Sequence, residues 1–599
     1  MILQALTAYY EQLLRTGQIS APGWESKFKV SYWLRINAEG QLIDLVDCRQ
    51  LVPRGKKEVF APREMAVPAH AKRSSGIAAN FLCDTSTYLL GADEKGKPER
   101  SIQCFEACAK LHHEILDGVD SPAAKAVLAF FDHWNPEEAS THPLLADHWK
   151  DITGSANLLF DYEGPEGSFL LTEDEAIKAA WQKHYNSASS DTPTVQCLVT
   201  GQQAPVARLH PSIKGVPGAQ SSGAALVSFN APAFCSYGHE QGENAPVSEY
   251  AAFAYTTALN ALLADRNHCR ILGDTAVVCW AENAAPAYSS LSILALFGNP
   301  PDSGIRDEDL SKALDALANG KPCNWLDEKL QPDQHFYVLG LSPNAARLSV
   351  RFFLRDTFQV FAQRLQRHAE DIEVIRPSFD TRETLSIWAL VNETVNQNAR
   401  EKKPSPQLAG DVLRSVLTGT PYPATLLNGA ELRIRAEQDI TRGRAAILRG
   451  YYRRHPHPQV PKEVLEMPEL NEACNNIPYT LGRMFSLYEQ IQMAAANSTK
   501  SKINATIKDR YFNAASANPS QVFNVLGKLS ISHLRVLRRT NEKLAGYLEN
   551  RLEELSLKVG QNYPKHLDPA SQGSFQLGYY YENQAHFQKK KPVESADEV

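Results

Sequence analysis

The string GVPGAQSSG, from Gly215 to Gly223, sets three glycines around Gln220, Ser221 and Ser222, with Lys214 immediately before it. Glycine lets a backbone approach a ligand closely, and amides and hydroxyls form hydrogen bonds while tolerating water, so the string reads as a contact surface rather than a catalytic pocket. Lys214 adds a point charge suited to a phosphate, and Asn230 a second amide. Glutamine and asparagine pair bidentately with adenine in the major groove but separate only A·T from G·C in the minor groove, and a glutamine on such a loop is also shaped to wedge a duplex open. The competing reading is a tight structural turn that caps a helix expected over 248–265. A second string, Lys72-Arg73-Ser74-Ser75-Gly76 with Asn80 following, combines cations, small hydroxyl residues and a glycine, which suits phosphates or a narrow groove; an ordinary solvated turn is its alternative. Seven arginines, at 433, 435, 442, 444, 449, 453 and 454, stand with Tyr451 and Tyr452. They fit backbone tracking and base stacking, through Arg442, Arg444, Arg449 and Arg453 above all, or a solvated helix face paired with Glu431, Glu437 and Asp439. Lys500, Lys502, Lys508, Arg510, Arg535, Arg538 and Arg539 offer a further path for a single strand.

Catalytic constellations are not legible. The sequence contains neither a GxxxxGK[ST] phosphate loop nor HExxH, and GKPER at Gly96 and GKPCN at Gly320 lack the glycine spacing and the Ser/Thr that would ligate magnesium. Cys108 and His112 are spaced i, i+4, with His113 beside them, but a metal site needs further ligands that the sequence does not supply. The 10 cysteines are scattered and read as reduced, mostly buried thiols. No cofactor is called for, and the expectation is a protein that is not an enzyme; a nuclease with an unrecognised site is the alternative.

These strings must be positioned by 599 residues, too many for one core. Through about residue 190, strand-like runs (KFKVSYWLRI, QLIDLVD, TYLLG, GSFLLT) alternate with helical ones (CFEACAKLHHEIL, PAAKAVLAFFDHW, EDEAIKAAWQKHY), the pattern of an α+β domain. An α/β core is expected over 191–356: a hairpin, the 215–223 loop, an apolar strand, the 248–265 helix, and strands AVVCWAE, HFYVLGLS and RLSVRFFLRD. Helical spacing then dominates, in an arginine-rich region over 357–460 and, after the proline-rich HPHPQVPK, in a bundle over 461–599 whose tail has a disordered composition. The fold class is α+β, a mixed α/β N-terminal region followed by a C-terminal α-helical bundle.

Charge follows the same division. The net of -6 hides a net of -14 over residues 1–340 (27 Lys/Arg against 41 Asp/Glu) and of +8 over 341–599 (35 against 27), so the C-terminal part is the better candidate for lying along a polyanion. No run of about 18 apolar residues occurs. The opening MILQALTAYYEQLL reads as an amphipathic helix without a basic leader, and a cytoplasmic protein away from the membrane is expected.

Four of these strings, in order, carry a resemblance: KRSSGIAANFLCDTSTYLLG from Lys72, RLHPSIKG with the loop that follows, FYVLGLSPNAARLSVRFF from Phe336 and FQLGYYYENQAHFQKKK near the C-terminus. Together they resemble the large subunit of the type I-C CRISPR surveillance complex, Cascade. The resemblance implies a non-catalytic subunit that joins crRNA-bearing backbone subunits, recognises a short motif beside the target in double-stranded DNA, helps open it, stabilises the displaced single strand and recruits a helicase–nuclease. It implies motif reading by Lys72, Ser75, Asn80, Lys214 and Gln220. It also implies a C-terminal region like the complex's small subunit, copies of which are made by internal translation, with Met467 favoured over Met484 as the start because Met484 falls inside a helical run. A purely structural scaffold is the rival reading.

Overall fold

The computed structural model describes residues 1–19, 21–54, 57–71, 76–93, 97–154, 156–165, 167–187, 194–300, 303–400, 402–500, 502–560 and 562–587. Helix accounts for 51% and strand for 17%, and among the described residues no strand follows Thr357, so the fold is α+β with a helical C-terminal region. The chain divides into two compact units, one made of Met1–Pro211 and Val227–Ala258, the other of Ser212–Leu226 and Leu259–Val599.

The first unit is built on a five-stranded sheet. Tyr32–Ile36 pairs antiparallel with Leu42–Asp47 and parallel with Asn157–Gly164, which also pairs antiparallel with Cys83–Thr85 and Gly167–Leu170. Period-two patterning sets the faces: Tyr32, Leu34 and Ile36 are buried while Trp33 and Arg35 are partly exposed. Helices Pro98–Leu116 and Pro122–His133 bring Cys108, Ile115, Val127 and Phe130 into one core with Phe160. The second of these starts where Pro122 follows Ser121, whose hydroxyl accepts the Ala124 N–H at 3.3 Å. The strand-like run TYLLG instead forms one helical turn, Ser86–Leu89, closed by the Leu90 N–H on the Ser86 carbonyl at 2.8 Å. Burial of Tyr88 and Leu89 in this core outweighs their strand preference.

The second unit holds a four-stranded antiparallel sheet in the order Cys269–Leu272, Thr275–Ala281, His335–Asn344, Arg347–Thr357. Thr275–Ala281 is buried at every position, as its continuous apolar run implies, and Trp280 stacks on Tyr337 with centroids 5.1 Å apart. Leu291, Leu317, Phe361 and Val412, from four helices, join the sheet's inner residues in a single core. The periodic run after residue 424 breaks into helices Ala424–Glu437 and Arg442–Arg454, where Gln438 adopts a left-handed φ of 52° and the Thr441 hydroxyl caps the next helix by accepting the Arg444 N–H at 3.2 Å. In the C-terminal part the 23-residue helix Ile477–Thr499 packs directly on Pro569–Phe587. Glycine makes that approach possible: a Cβ on Gly482 would collide with the Phe575 carbonyl, and one on Gly578 with that of Tyr479. Helices Pro519–Thr540 and Glu542–Val559 complete the bundle. Among the described residues no helix is long and apolar enough to cross a membrane.

Candidate nucleic-acid interface

In the second unit the loop 212–226 has a fully specified backbone. Ile213 and Ala224 exchange two N–H···O bonds, both 2.9 Å, closing the loop at its base. Within it, Val216–Ala219 forms a turn in which the Ala219 N–H reaches the Val216 carbonyl at 3.2 Å; Pro217 in second place and Gly218, at φ 79°, in third are what a type II turn requires. A second turn joins the Gly223 N–H to the Gln220 carbonyl at 2.9 Å. Gly223 sits at φ 98°, and a Cβ there would lie 2.7 Å from that of Ser212. Outside anchors complete the frame. The Asn260 side chain accepts the Lys214 N–H at 2.8 Å and donates to the Ser212 carbonyl at 3.1 Å. Ala225 bonds through its N–H to Ala346 and through its carbonyl to Leu348, both at 3.0 Å, fastening the loop to the edge strand Arg347–Thr357.

On this frame Lys214, Gln220, Ser221 and Ser222 are all exposed. A rigid backbone carrying outward amide, hydroxyl and ammonium groups is preorganised for contact with a ligand, because little loop entropy is lost when it binds. Two sequence expectations are corrected. The apolar strand after the loop does not form: Ala224 and Ala225 make only isolated bridges, and small residues followed by bends give no face to bury. Nor does the loop cap helix Glu249–Ala264, whose N-terminus is held by the Ser248 hydroxyl accepting the Ala251 N–H at 3.2 Å. Asn260, the clamp, was not singled out by sequence; its one signal is an amide inside a run of helix formers, where asparagine is unfavourable unless it has a partner.

In the first unit, Lys72, Arg73 and Ser75 lie outside the described residues. Asn80 is described and is no surface contact. It is 4% exposed, its side-chain oxygen accepts the Ala71 N–H at 2.9 Å, and its own N–H bonds to Asp84 at 3.0 Å. The amide therefore anchors Ala71 to the sheet and is buried away from any groove. Next to it, His112 uses both ring nitrogens on the backbone: Nε2 accepts the Leu82 N–H at 3.0 Å and Nδ1 donates to the Cys108 carbonyl at 2.8 Å. Burial lowers its pKa to about 4, consistent with a neutral ring. Among the described residues no three His, Cys, Asp or Glu side chains cluster as metal ligands.

The arginine helix Arg442–Arg454 points its charges inward. Arg444 and Arg449 are each 2% exposed. Arg444 pairs with Glu437, lies 3.4 Å from Glu393 and donates to the Asp439 carbonyl at 2.9 Å. Arg449 bonds to the carbonyls of Leu465 at 3.0 Å, Asp371 at 3.1 Å and Glu370, and burial lowers its pKa. Arg442 reaches Asp380 at 3.3 Å and the Glu383 carbonyl at 2.7 Å. Arg453 and Arg454 grip opposite oxygens of buried Asp371 at 2.9 and 2.7 Å, and Arg454 also lies 4.1 Å over the Tyr422 ring. Hydrogen bonds from Arg382, joined by Arg442, hold Asp380 well below the usual carboxylate range, while burial raises Glu393. Backbone tracking by Arg442, Arg444 and Arg449 is thus replaced by an internal ion network: a buried guanidinium must be matched by acceptors, and these are matched by protein. Arg453 keeps about a third of its side chain exposed, but with its charge on Asp371. Farther on, Lys500, Lys502, Arg510, Arg535, Arg538 and Arg539 are exposed, with Arg538 paired to Glu549; Lys508 is partly buried, 3.5 Å from Asp439.

The family model described as CRISPR-associated protein (Cas_Csd1) matches residues 6–587. No curated protein matches the chain.

Proposed function

Because the chain belongs to the CRISPR-associated protein (Cas_Csd1) family, we propose that it is the non-catalytic large subunit of an RNA-guided DNA surveillance complex of type I-C. In this reading guide pairing supplies sequence specificity, and the protein supplies only recognition of a short flanking motif in duplex DNA. The observation that supports it best is the 212–226 loop, braced at its base, by Asn260 and by the sheet edge, with Lys214, Gln220, Ser221 and Ser222 facing outward. Lys214 meets a phosphate, the two serines donate to phosphate or base edges, and Gln220 enters the groove and separates the first base pair. Lys72, Arg73 and Ser75 make the second contact on the duplex. Backbone subunits carrying crRNA, small-subunit copies and a helicase–nuclease are the partners.

The C-terminal bundle is the small-subunit-like part, with the displaced strand passing its exposed cations. An internal start at Met467 keeps helix Ile477–Thr499 whole. One at Met484 would remove Arg483, which pairs with Glu582 at 2.8 Å with both side chains nearly fully buried, and would leave that buried carboxylate to Arg551 alone. A purely structural scaffold is the second reading, favoured by an arginine helix whose charges are matched internally.

The test is a mobility-shift titration of the assembled complex on guide-matched duplexes with and without the flanking motif, using wild-type chain, Lys214→Glu and the Lys72→Glu, Lys214→Glu pair. Motif-dependent binding that falls while assembly is retained supports the reading. Unchanged binding by the double variant would leave the scaffold.

A further inference from the structure

Helices Ile477–Thr499, Ile507–Ala517, Pro519–Thr540, Glu542–Val559 and Pro569–Phe587 line a cavity of about 500 Å³, within the size range of small-molecule sites. Its apolar wall includes Leu537, Leu544 and Leu548. Four primary amides also line it: Gln490 and Asn541 are bonded to Ser486 and Leu544, whereas the side chains of Asn497, exposed, and Asn583, half-buried, have no hydrogen-bond partner among the described residues. Glu489 accepts the Tyr579 hydroxyl there at 2.6 Å. Burial raises the Glu489 pKa, so this carboxyl takes up a proton more readily than an exposed one and then serves as donor as well as acceptor. Among the described residues Lys508 is the one lysine or arginine of the lining, and Phe587, 61% exposed, lies at the end of the last helix with its ring edge-to-face to His586 at 5.2 Å.

Few ligand classes fit such a set. A hydrocarbon would strip water from two amides and a carboxyl without replacing their hydrogen bonds, at a cost of about 1–3 kcal/mol each. An anion would meet Glu489 with only Lys508 to balance it. A flat, uncharged heterocycle with donors and acceptors along one edge satisfies both the leucines and the amides. We infer that the cavity receives a single nucleobase turned out of its stack, its faces against Leu544 and Leu548, its edge on Asn497, Asn583 and Glu489, its phosphate left outside in solvent. Phe587 at the mouth is placed to stack on the neighbouring base. The inference rests on the proposed function only for where an unpaired base would come from, and its test needs no guide, duplex or partner.

The full chain is titrated with single-stranded oligonucleotides carrying one 2-aminopurine, with the same oligonucleotides carrying an abasic site in its place, and with nucleoside 5′-monophosphates. Capture of the base raises 2-aminopurine fluorescence as it leaves its stack, and the abasic oligonucleotide binds about fivefold or more weakly. Asn497→Ala with Asn583→Ala removes the fluorescence rise without shifting the thermal midpoint, and Ala494→Trp, which takes up cavity volume, removes it as well. Binding of oligonucleotides identifies the source as an unpaired strand; saturable binding of monophosphates alone identifies it as free nucleotide. The proposal is overturned if the abasic oligonucleotide binds as tightly, if the rise survives both variants, or if neither ligand binds. A failure of motif reading in the assembled complex would leave this result standing.

Discussion

The 212–226 loop and the Arg442–Arg454 helix both carry residue types that bind nucleic acid, and the molecule uses them in opposite ways. In the loop the backbone is held from within and the side chains are left outward; in the helix the side chains are themselves the fastening, joining segments near 371, 380, 393, 415 and 465. Cation density is therefore the poorer guide of the two. An arginine run rich enough to coat a polyanion is also rich enough to bind a set of buried carboxylates, and which occurs depends on acceptors far away in sequence. A loop of glycine, serine and glutamine carries a single charge, Lys214, which is exposed, so its polar groups stay with the solvent or a ligand.

The largest expected effect lies in the helix. Asp371 is 3% exposed and anchors both Arg453 and Arg454, so Asp371→Ala leaves two guanidinium groups without their carboxylate and is expected to cost about 3–5 kcal/mol in urea unfolding. A loss under about 1 kcal/mol would return the arginines to the solvated-face reading and erase the contrast.

Next comes the acid response. Asp380 titrates below its unfolded value, so its contribution is fully present above about pH 4 and is lost as pH falls through the folded pKa. Asp380→Asn is expected to remove about 2 kcal/mol at neutral pH, the worth of its charged hydrogen bonds, and to flatten the decline in stability below pH 4. An identical acid slope in wild type and variant would show that the network is not what titrates.

The loop makes the complementary case through its backbone. Gly223→Ala forces an alanine to φ 98° with its Cβ 2.7 Å from Ser212, an expected loss of about 1–3 kcal/mol, whereas Ser222→Ala beside it should stay within about 0.5 kcal/mol by thermal unfolding. Equal effects at the two positions would mean the loop is not held in the described form.

The sequence made some of this legible and hid the rest for identifiable reasons. The continuous apolar run Thr275–Ala281 could only be buried, and the helices up to Arg454 and through the bundle follow from spacing and from the break at 455–462. The exposed loop was found because glycine, proline and serine specify turns locally. What failed was long-range. Arg442 and Arg454 find their carboxylates 62 and 83 residues upstream, beyond any window in which i, i+4 pairing with Glu437 or Asp439 is weighed. Asn80 read as a surface amide after a flexible turn, but it receives Ala71 across nine residues and is buried by the sheet it fastens. The bundle cavity is assembled from five helices, none of which carries a local signal for it.

The finest discrimination concerns a single exposed side chain. Gln220 makes no part of the described frame except through its carbonyl, so Gln220→Ala is expected to leave stability within about 0.5 kcal/mol. Its effect should appear in the order of events instead. If the amide enters the groove and separates the first base pair, the variant complex opens intact duplex more slowly yet binds a target already mismatched beside the motif as wild type does, because the unpairing is then supplied in advance. Lys214→Glu should weaken both substrates and lower the salt dependence by about 0.9 log units per lost phosphate contact. Equal loss on both substrates for Gln220→Ala would reduce the glutamine to a plain contact, and no loss on either would leave Lys214 to carry the loop's part alone.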